Sequence, residues 1–214
     1  MTGNVIVLRT QDNKIYKTKR VISSIPLGIL QRNLIQFNPP LPEPYQRAIN
    51  SIGNGIANKL FCSFKEPFWG KRKGWINFVL KGKKYNRYPV AFIYPEPKNH
   101  ILVVFVAGKG SYELGQMSDE QIYKDFDEFL SLFLDDDEYD LEQVKLTRWH
   151  LDEHTFGSYS YYKVGTQKQH FQQLRQPLQN RFWFVGEHTN PENYAFAHGA
   201  YQTGVWAAQE ALQH

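Results

Sequence analysis

Cysteine is almost absent from the sequence, since Cys62 is the only cysteine among 214 residues. A chain with a single cysteine cannot form an internal disulfide, so it does not belong to the disulfide-stapled secreted domains. Cys62 lies in the apolar run 60–62, and we therefore expect a buried thiol. A buried free thiol favours a reducing compartment, so the sequence predicts an intracellular protein, either cytoplasmic or nuclear.

Long hydrophobic segments are also missing. The longest apolar run, 101–107, has the length of a strand and falls far short of the roughly 20 residues of a membrane helix. The first residues lack the apolar core and cleavage site of a signal peptide. They begin in the middle of a strand pattern, so we expect a truncated or split chain with no membrane partner.

No G-x-G-x-x-G motif occurs in the sequence, because Gly53 and Gly55 lack a third glycine at the required spacing. This turn binds the pyrophosphate of a dinucleotide within a βαβ unit. A complete dinucleotide site is therefore not expected in this chain. The missing half would come from a longer protein or from a second chain, unless the chain is a non-catalytic remnant.

Apolar and aromatic residues are present in quantity, at 42% and 15%, which is enough for a sizeable core. The net charge is +4, with a basic zone in 71–87 and an acidic zone in 135–142. Solvated loops explain both zones, and a binding surface is the alternative. No nucleic-acid motif is present, so nucleic acid is not expected as a partner.

Periodicity and turn residues predict the following elements. The expected strands are a hairpin of 5–10 with 15–19, then 21–25, 75–80, 90–94, 101–107, 144–149 and 182–185. The expected helices are 44–51, capped by Gly53, and 118–134, with Ser118 and Gln121 forming a capping box.

The C-terminal stretch 181–212 combines an apolar strand with a polar tip, Gly186 to Thr189. A loop with proline and asparagine follows, and Gly199 opens a helical pattern. Ligands bind beyond the carboxyl ends of strands and at helix N-termini, so this order predicts a ligand site. A strand this apolar needs cover on both faces, and we expect the surface of 183–185 to be exposed without a partner.

The Gly-Glu-His-Thr tip, the later His-Gly-Ala and the upstream Gly-x-Gly-x-x-Asn-Lys resemble the C-terminal half of the flavin-containing amine oxidases, a group that includes polyamine oxidases and lysine-specific histone demethylases. The resemblance implies an α+β chain of the α/β family. It assigns 1–32 to the end of an FAD-domain β-meander and 33–148 to a substrate-binding domain with a mixed β-sheet flanked by helices. It assigns 149–214 to the last strands and helix of a Rossmann-like FAD domain that is incomplete here.

The same resemblance implies roles for individual residues. Lys59 would hold a water against flavin N5, Tyr159 and Phe196 would flank the substrate amine, and Glu187 would bind the ribityl chain. Ser158 stands where monoamine oxidases have a cysteine bonded to FAD, so FAD would be held noncovalently. The implied cofactor-binding set is Trp149, Ser158, Gly186, Glu187, Ala195, Phe196 and Gly199.

The implied activity is oxidation of a small-molecule or peptidyl amine, either a polyamine or an N-methylated amine, to an imine with release of H₂O₂. An N-terminal half or partner chain would complete the enzyme, so the isolated chain would be inactive. The alternative is a non-catalytic interaction module that keeps this fold and binds through the basic zone.

A zinc site is a further alternative, because His150, Glu153 and His154 match H-x-x-E-H. That motif requires a helix that places both histidines on one face. A strand pattern precedes His150 and Gly157 follows His154 closely. We therefore predict no metal.

Overall fold

A computed structural model describes residues 5–79, 87–94, 100–135 and 137–213. Its strands are β1 (Ile6–Arg9), β2 (Ile15–Thr18), β3 (Val21–Ser23), β4 (Gly53–Asn54), β5 (Ala57–Phe64), β6 (Gly74–Asn77), β7 (Val90–Ile93), β8 (Ile101–Ala107), β9 (Leu141–Leu146), β10 (Ser160–Tyr161) and β11 (Phe182–Phe184). Its helices are α1 (Leu27–Gln31), α2 (Glu43–Ser51), α3 (Gly108–Gly115), α4 (Asp119–Leu130), α5 (Lys168–Arg175) and α6 (Ala197–Gln213). A 3₁₀ turn spans Glu187–Thr189.

The chain folds into two compact units. Unit 1 is formed by Met1–Asn54 together with Tyr159–His214, and unit 2 by Gly55–Ser158. The chain therefore leaves unit 1 after β4 and returns to it before β10. These unit boundaries do not test the predicted division into FAD-binding and substrate-binding segments at 32/33 and 148/149. That division remains a prediction.

A five-stranded sheet with the order β6-β7-β8-β5-β9 forms the frame of unit 2. Each neighbouring pair in this sheet is antiparallel, so the expectation of a mixed sheet is wrong for the described residues. The strands β6, β7 and β8 follow one another as a meander, which joins antiparallel neighbours. The long connection through α3 and α4 leads from β8 to β9, and β5 lies between those two strands.

One face of this sheet forms the core of unit 2. Leu60, Cys62 and Phe64 of β5 point to this face and are almost fully buried. Phe126 and Phe129 of α4 belong to the same cluster. Burying side chains of this size stabilises a fold by about 1.5–3 kcal/mol each. The buried thiol is confirmed, and burial raises the pKa of Cys62 well above its usual range.

Helix α4 begins as its sequence predicts. Ser118 Oγ accepts from the backbone N–H of Gln121 at 3.2 Å, and Gln121 Oε1 accepts from the Ser118 N–H at 2.8 Å. The capping box is therefore confirmed. The helix ends at Leu130, before the expected 134, because tighter turns follow, in which the N–H of Phe133 donates to the carbonyl of Leu130.

The parallel pair β3–β11 organises unit 1. Phe184 packs into a cluster with residues of α2 and α5, such as Tyr45 and Phe171. Trp183 and Val185 pack against Ala207 of α6 on the other side. The strand is thus covered on both faces, as predicted. The expected exposure of 183–185 is wrong, because α6 itself provides the cover and leaves Trp183 only 1% exposed.

Gly53 does not cap α2, contrary to expectation. Ile52 ends the helix in an extended conformation, and Gly53 belongs to β4, paired with Tyr161 of β10. A Cβ atom on Gly53 would lie 2.6 Å from the Tyr161 ring. The glycine is therefore explained by the close approach of that ring rather than by a helix end.

The predicted hairpin at the start of the chain is confirmed, with β1 antiparallel to β2. The basic zone lies partly outside the described residues, which include exposed Lys71, Arg72 and Lys73 but not 80–86. The acidic zone is described except for Asp136. Across the described part of the chain, none of the helices has the length and apolar character needed to cross a membrane.

Candidate active site

Lys59 is the exposed side chain of a strand whose neighbouring positions face the core. Asn58 and Leu60, on either side of it, are 1% and 0% exposed. The backbone of Lys59 is held by a single residue at the end of β9. Its N–H donates to Thr147 Oγ1 at 2.9 Å, and its carbonyl accepts from the Thr147 N–H at 3.0 Å.

Apolar side chains lie beside Lys59 on the same face of the sheet. Phe105 of β8 is its partner in register, and Phe61 is the next residue of β5 on that face. Val103 pairs with Phe61. Lys59 therefore lies among apolar side chains on this face of the sheet.

A buried amide, that of Asn58, lies next to Lys59 in the sequence and faces the opposite way. Its Oδ1 accepts from the Trp149 N–H at 3.0 Å and from Thr147 Oγ1 at 3.3 Å. Its Nδ2 donates to Ser111 Oγ at 2.8 Å. Trp149 itself is 44% exposed. Lys59 and Trp149, two of the predicted site residues, are thus joined through one side chain.

The H-x-x-E-H residues do not share the face of one helix. They lie on turns rather than on one helix, with His150 buried and His154 exposed. Burial, and then the nearby Arg148, lower the pKa of His150. Over the described ranges, no group of three metal-ligating side chains occurs.

The hydroxyl of Ser158 is used by the backbone of unit 2. It donates to the carbonyl of Gly55 and accepts from the N–H of Ala57, both at 2.8 Å. The Ser158 N–H also donates to the Gly55 carbonyl. Ser158 therefore fixes the entry into β5, in addition to the cofactor contact that the sequence predicts for it.

In unit 1, Glu187 connects three segments of the chain. Its Oε1 accepts from the Ser160 N–H at 3.0 Å, and its Oε2 accepts from Ser160 Oγ at 2.6 Å. The Ala195 N–H also donates to Oε2. Gly186, just before it, donates its N–H to Thr203 Oγ1 of α6 at 2.9 Å. Gly186, Glu187 and Ala195 are therefore brought together around one carboxylate.

The change Glu187→Gln should lower the free energy of unfolding by about 1–3 kcal/mol, because an amide has only one acceptor oxygen. Its NH₂ group would face the backbone N–H of either Ser160 or Ala195 and leave that donor unsatisfied. Urea denaturation followed by tryptophan fluorescence measures the loss. The matched control is Glu192→Gln, since Glu192 makes an exposed ion pair with Lys168. Such pairs contribute about 0–1 kcal/mol. Equal losses in the two variants would contradict the assigned role of Glu187.

The loop 190–193 is fastened to the start of α6. Asn190 Oδ1 accepts from the backbone N–H groups of Glu192 and Asn193, and Asn190 Nδ2 donates to the carbonyl of Gly199 at 3.3 Å. The carbonyl oxygen of Asn193 lies where a Cβ atom on Gly199 would be, 1.8 Å from its ideal position. Only a glycine at 199 allows this contact.

In the first turn of α6, Ala197 and His198 are exposed, whereas Gly199 is buried. The helix begins at Ala197, two residues before the predicted start, and Ala195 has a φ of 63°. The first N–H groups of a helix have no partner within the helix. Phe196 is 59% exposed, and its ring stacks on His198 at 5.2 Å. Among the described residues of unit 1, no ring contact joins Phe196 to the half-buried Tyr159.

A buried histidine follows Glu187. His188 is 4% exposed, and no hydrogen-bond partner for its Nε2 lies in the described part of the chain. Burial lowers the pKa of His188, and the Glu187 carboxylate opposes that shift. The ring also fills the space beside Gly186, where a Cβ atom would lie 2.6 Å from it.

The predicted site residues divide between the units. Lys59, Trp149 and Ser158 belong to unit 2, and Tyr159, Gly186, Glu187, Ala195, Phe196 and Gly199 to unit 1. The sequence did not predict the hydrogen-bonding roles of Asn58, Thr147 and Ser160. A signal for Asn58 was available, because a polar residue at an inward position of a strand requires buried hydrogen-bond partners.

The family model for flavin containing amine oxidoreductase matches residues 2–212. The chain belongs to this family. The resemblance found in the sequence is therefore confirmed. The family is one of FAD-dependent oxidoreductases that act on amines.

Individual flavin amine oxidases show how much of the family the chain spans. It is 33% identical over 207 residues to polyamine oxidase 1 of Zea mays, a match that covers 95% of the chain and 41% of the relative. It is 29% identical over 215 residues to lysine-specific histone demethylase 2 of Homo sapiens, covering 98% and 26%. The chain thus spans less than half the length of these relatives.

A solved structure of putrescine oxidase with putrescine bound superposes with a TM-score of 0.82 at 18% identity. The superposition covers 100% of the chain and 47% of that protein. Identity at this level shows the fold alone. The amine-oxidase fold predicted from the sequence is confirmed at this level.

Proposed function

We propose that this chain is the lysine-bearing portion of an FAD-dependent amine oxidase that converts a polyamine or an N-methylated amine to an imine and releases H₂O₂. The observation that carries the proposal is Lys59. It is an exposed lysine on an inner strand of the five-stranded sheet, between two buried neighbours, and both its N–H and its carbonyl are hydrogen-bonded to Thr147. In this proposal, 1–32 and 149–214 contribute to the FAD domain and 33–148 to the substrate domain.

The residues of unit 1 fit a flavin. The N-terminus of α6, where Ala197 and His198 are exposed, would present backbone N–H groups to an electron-rich edge of a ligand. Glu187 Oε1 accepts from one protein donor, so it retains a lone pair for a ribityl hydroxyl. His188 Nε2, which has no hydrogen-bond partner among the described residues, is a further polar atom near the end of this strand.

Bound FAD would supply the redox chemistry, taking a hydride from the α-carbon of the amine and passing the electrons to O₂. The residues that would hold it are Gly186, Glu187, Ala195, Phe196, Gly199, Trp149 and Ser158. Because position 158 is a serine, which has no thiol for a covalent link, FAD would be bound noncovalently.

Lys59 would hold a water molecule with its ammonium group and place it at the reacting atoms. An ammonium on a flexible stem has three donors and can serve this purpose while its backbone stays fixed. Tyr159 and Phe196 would flank the amine. Aromatic faces attract an amine cation by about 1–2 kcal/mol when water is excluded.

The substrate class rests on two lines of support. The relatives are named for polyamines, for putrescine and for the demethylation of histone lysine. Phe61 and Phe105 beside Lys59 suit the methylene segments that these amines share. In this proposal, the substrate is a small-molecule or peptidyl amine, and the compartment is cytoplasmic or nuclear.

We expect the isolated chain to purify without flavin and without activity, because the G-x-G-x-x-G turn that anchors the pyrophosphate is not among its residues. Co-expression with a polypeptide that carries this turn, encoded upstream in the same transcript, should give a yellow complex. That complex should release H₂O₂ when a polyamine or N-methylated amine is added.

The assay for flavin absorbance and H₂O₂ decides between the outcomes. Stoichiometric flavin in the isolated chain would contradict the expected division of the FAD site. A complex that binds flavin but oxidises no amine would contradict the proposed activity. No observation on the described residues favours the interaction module, whose basic surface lies partly outside them.

A further inference from the structure

The amide of Asn58 is the centre of a buried hydrogen-bond network in unit 2. It contacts the end of β9 and the turn after it through Thr147, Trp149 and His150, and it contacts α3 through Ser111. Asn58 is 1% exposed and Ser111 is 0% exposed. The network is therefore part of the interior, and its geometry does not depend on surface contacts.

The orientation of the amide is fixed by a backbone group. The Trp149 N–H can only donate, and it lies 3.0 Å from Asn58 Oδ1. The oxygen of the amide must therefore face Trp149, which places Nδ2 toward Ser111 Oγ at 2.8 Å and His150 Nδ1 at 3.3 Å. Amide orientations are often ambiguous, but a backbone donor removes the ambiguity here.

The directions of the remaining bonds follow from that orientation. An amide nitrogen only donates, so His150 Nδ1 must accept, and the neutral ring carries its proton on Nε2. The Lys59 N–H donates to Thr147 Oγ1, so the Thr147 hydroxyl proton is free to donate to Asn58 Oδ1 at 3.3 Å. The chain of hydrogen bonds therefore runs from the Lys59 N–H through the Thr147 hydroxyl to Asn58 Oδ1. The same oxygen also accepts from the Trp149 N–H.

Thr147 makes this connection where the sheet ladder ends. Strand β9 stops at Leu146, and a turn begins at Trp149. The Thr147 hydroxyl takes the place of a strand carbonyl as the acceptor for the Lys59 N–H. Space for the network is made by Gly115, where a Cβ atom would lie 2.3 Å from the His150 ring.

We propose that Asn58 is a positioning residue, which acts through the Thr147 hydroxyl to fix the backbones of Lys59 and Trp149 relative to one another. This role rests on the proposed function, in which Lys59 places water at the reacting atoms and Trp149 contacts FAD. A displacement of about 1 Å at such groups can lower a rate by about 100-fold. The network is therefore a determinant of the reaction rate as well as of stability.

The first test uses the 214-residue chain and a matched pair of variants. Thr147→Val removes the hydroxyl at nearly constant volume, and Thr147→Ser retains it. We expect the backbone N–H of Lys59 to exchange with solvent about tenfold faster in the valine variant and near the original rate in the serine variant. In Asn58→Leu, the Trp149 N–H should exchange faster, and the side-chain ¹⁵N shifts of His150 should leave the pattern of a ring protonated at Nε2.

Ser63→Ala is the control, because Ser63 lies on the same strand and its buried Oγ has no hydrogen-bond partner among the described residues. This variant should leave both exchange rates and the His150 shifts unchanged. Unchanged exchange at Lys59 in Thr147→Val would overturn the connection through Thr147. If Asn58→Leu does not fold, Thr147→Val and Thr147→Ser still test the connection between the Lys59 backbone and the Thr147 hydroxyl.

The second test uses the complete, flavin-loaded protein and separates positioning from stability. At saturating amine, Thr147→Val should reduce flavin at least about tenfold more slowly, while the dissociation constant of the amine changes by less than about threefold. Thr147→Ser should restore the rate. Equal rates in all three proteins would overturn the positioning role. An unaltered protein whose flavin no amine reduces would contradict the proposed function, and with it this role, while the exchange rates would still report the network.

Discussion

Replacing Gly199 by alanine is expected to lower the free energy of unfolding by about 1–3 kcal/mol or more, since overpacking against fixed backbone typically costs this much. The new Cβ would lie 1.8 Å from the carbonyl oxygen of Asn193 and 2.8 Å from its carbonyl carbon. The loop cannot move aside freely, because Asn190 binds both the loop and the Gly199 carbonyl. Chemical denaturation of the 214-residue chain measures the effect.

Gly204 provides the control on the same helix. Apart from the backbone of α6 itself, no described residue has an atom within 4 Å of a Cβ at this position, so Gly204→Ala meets open space. In a helix interior, alanine is favoured over glycine by about 1 kcal/mol, and this variant should be more stable than the original. Changes of the same sign and size in the two variants would contradict the packing of 190–193 on α6.

Lys59→Met is expected to slow flavin reduction by about 100-fold or more in the complete protein, which is the usual contribution of a group that positions a proton-transferring water. The side chain is exposed, and the bonds to Thr147 come from the backbone, so the fold should be retained. Anaerobic stopped-flow measurements at several amine concentrations separate the reduction rate from amine binding.

Lys65→Met is the control for loss of a positive charge. Lys65 follows β5 and is exposed, and its ammonium group makes a long ion pair with Asp140 at 3.8 Å. This variant should keep the original reduction rate. A Lys59 variant with a raised KM and an unchanged kcat would show that the lysine contributes uniform binding and would contradict its role in the chemistry.

Features that depend on neighbours in the sequence could be predicted from it. The capping box of α4 needs only Ser118 and Gln121, three positions apart, and it forms as expected. The buried strand β11 is visible in a run of bulky apolar residues, and its covering on both faces follows from that composition. The order of strand, polar tip, loop and helix in 181–212 was also predictable.

Features that depend on distant partners could not be predicted in this way. The expectation that Gly53 caps α2 was wrong. The glycine is required by the ring of Tyr161, which reaches it only through the pairing of β4 with β10. Asn58 meets Ser111 and His150 across 53 and 92 positions. The antiparallel order of the unit 2 sheet likewise depends on which strands meet in space.

The candidate site shows the same division. Motifs predicted Lys59 and Glu187 as candidate site residues, because each stands in a short pattern. The partners of Glu187 were not visible, because Ser160 and Ala195 come from other segments. The expected exposure of 183–185 was wrong for a related reason. Helix α6 was assigned to ligand binding from its first turn, and its role as the cover for Trp183 appears only in the fold.

The most direct test of the central claim is anaerobic addition of an amine to the complete, flavin-loaded protein, followed through the absorbance of oxidised flavin. Spermidine, an N-methylated lysine peptide and a quaternary ammonium analogue would be compared. The account predicts that at least one of the first two bleaches the flavin, that the quaternary analogue does not, and that Lys59→Met slows the bleaching. If the protein is shown to bind both FAD and the amine, flavin that stays oxidised with every amine would contradict the proposed activity.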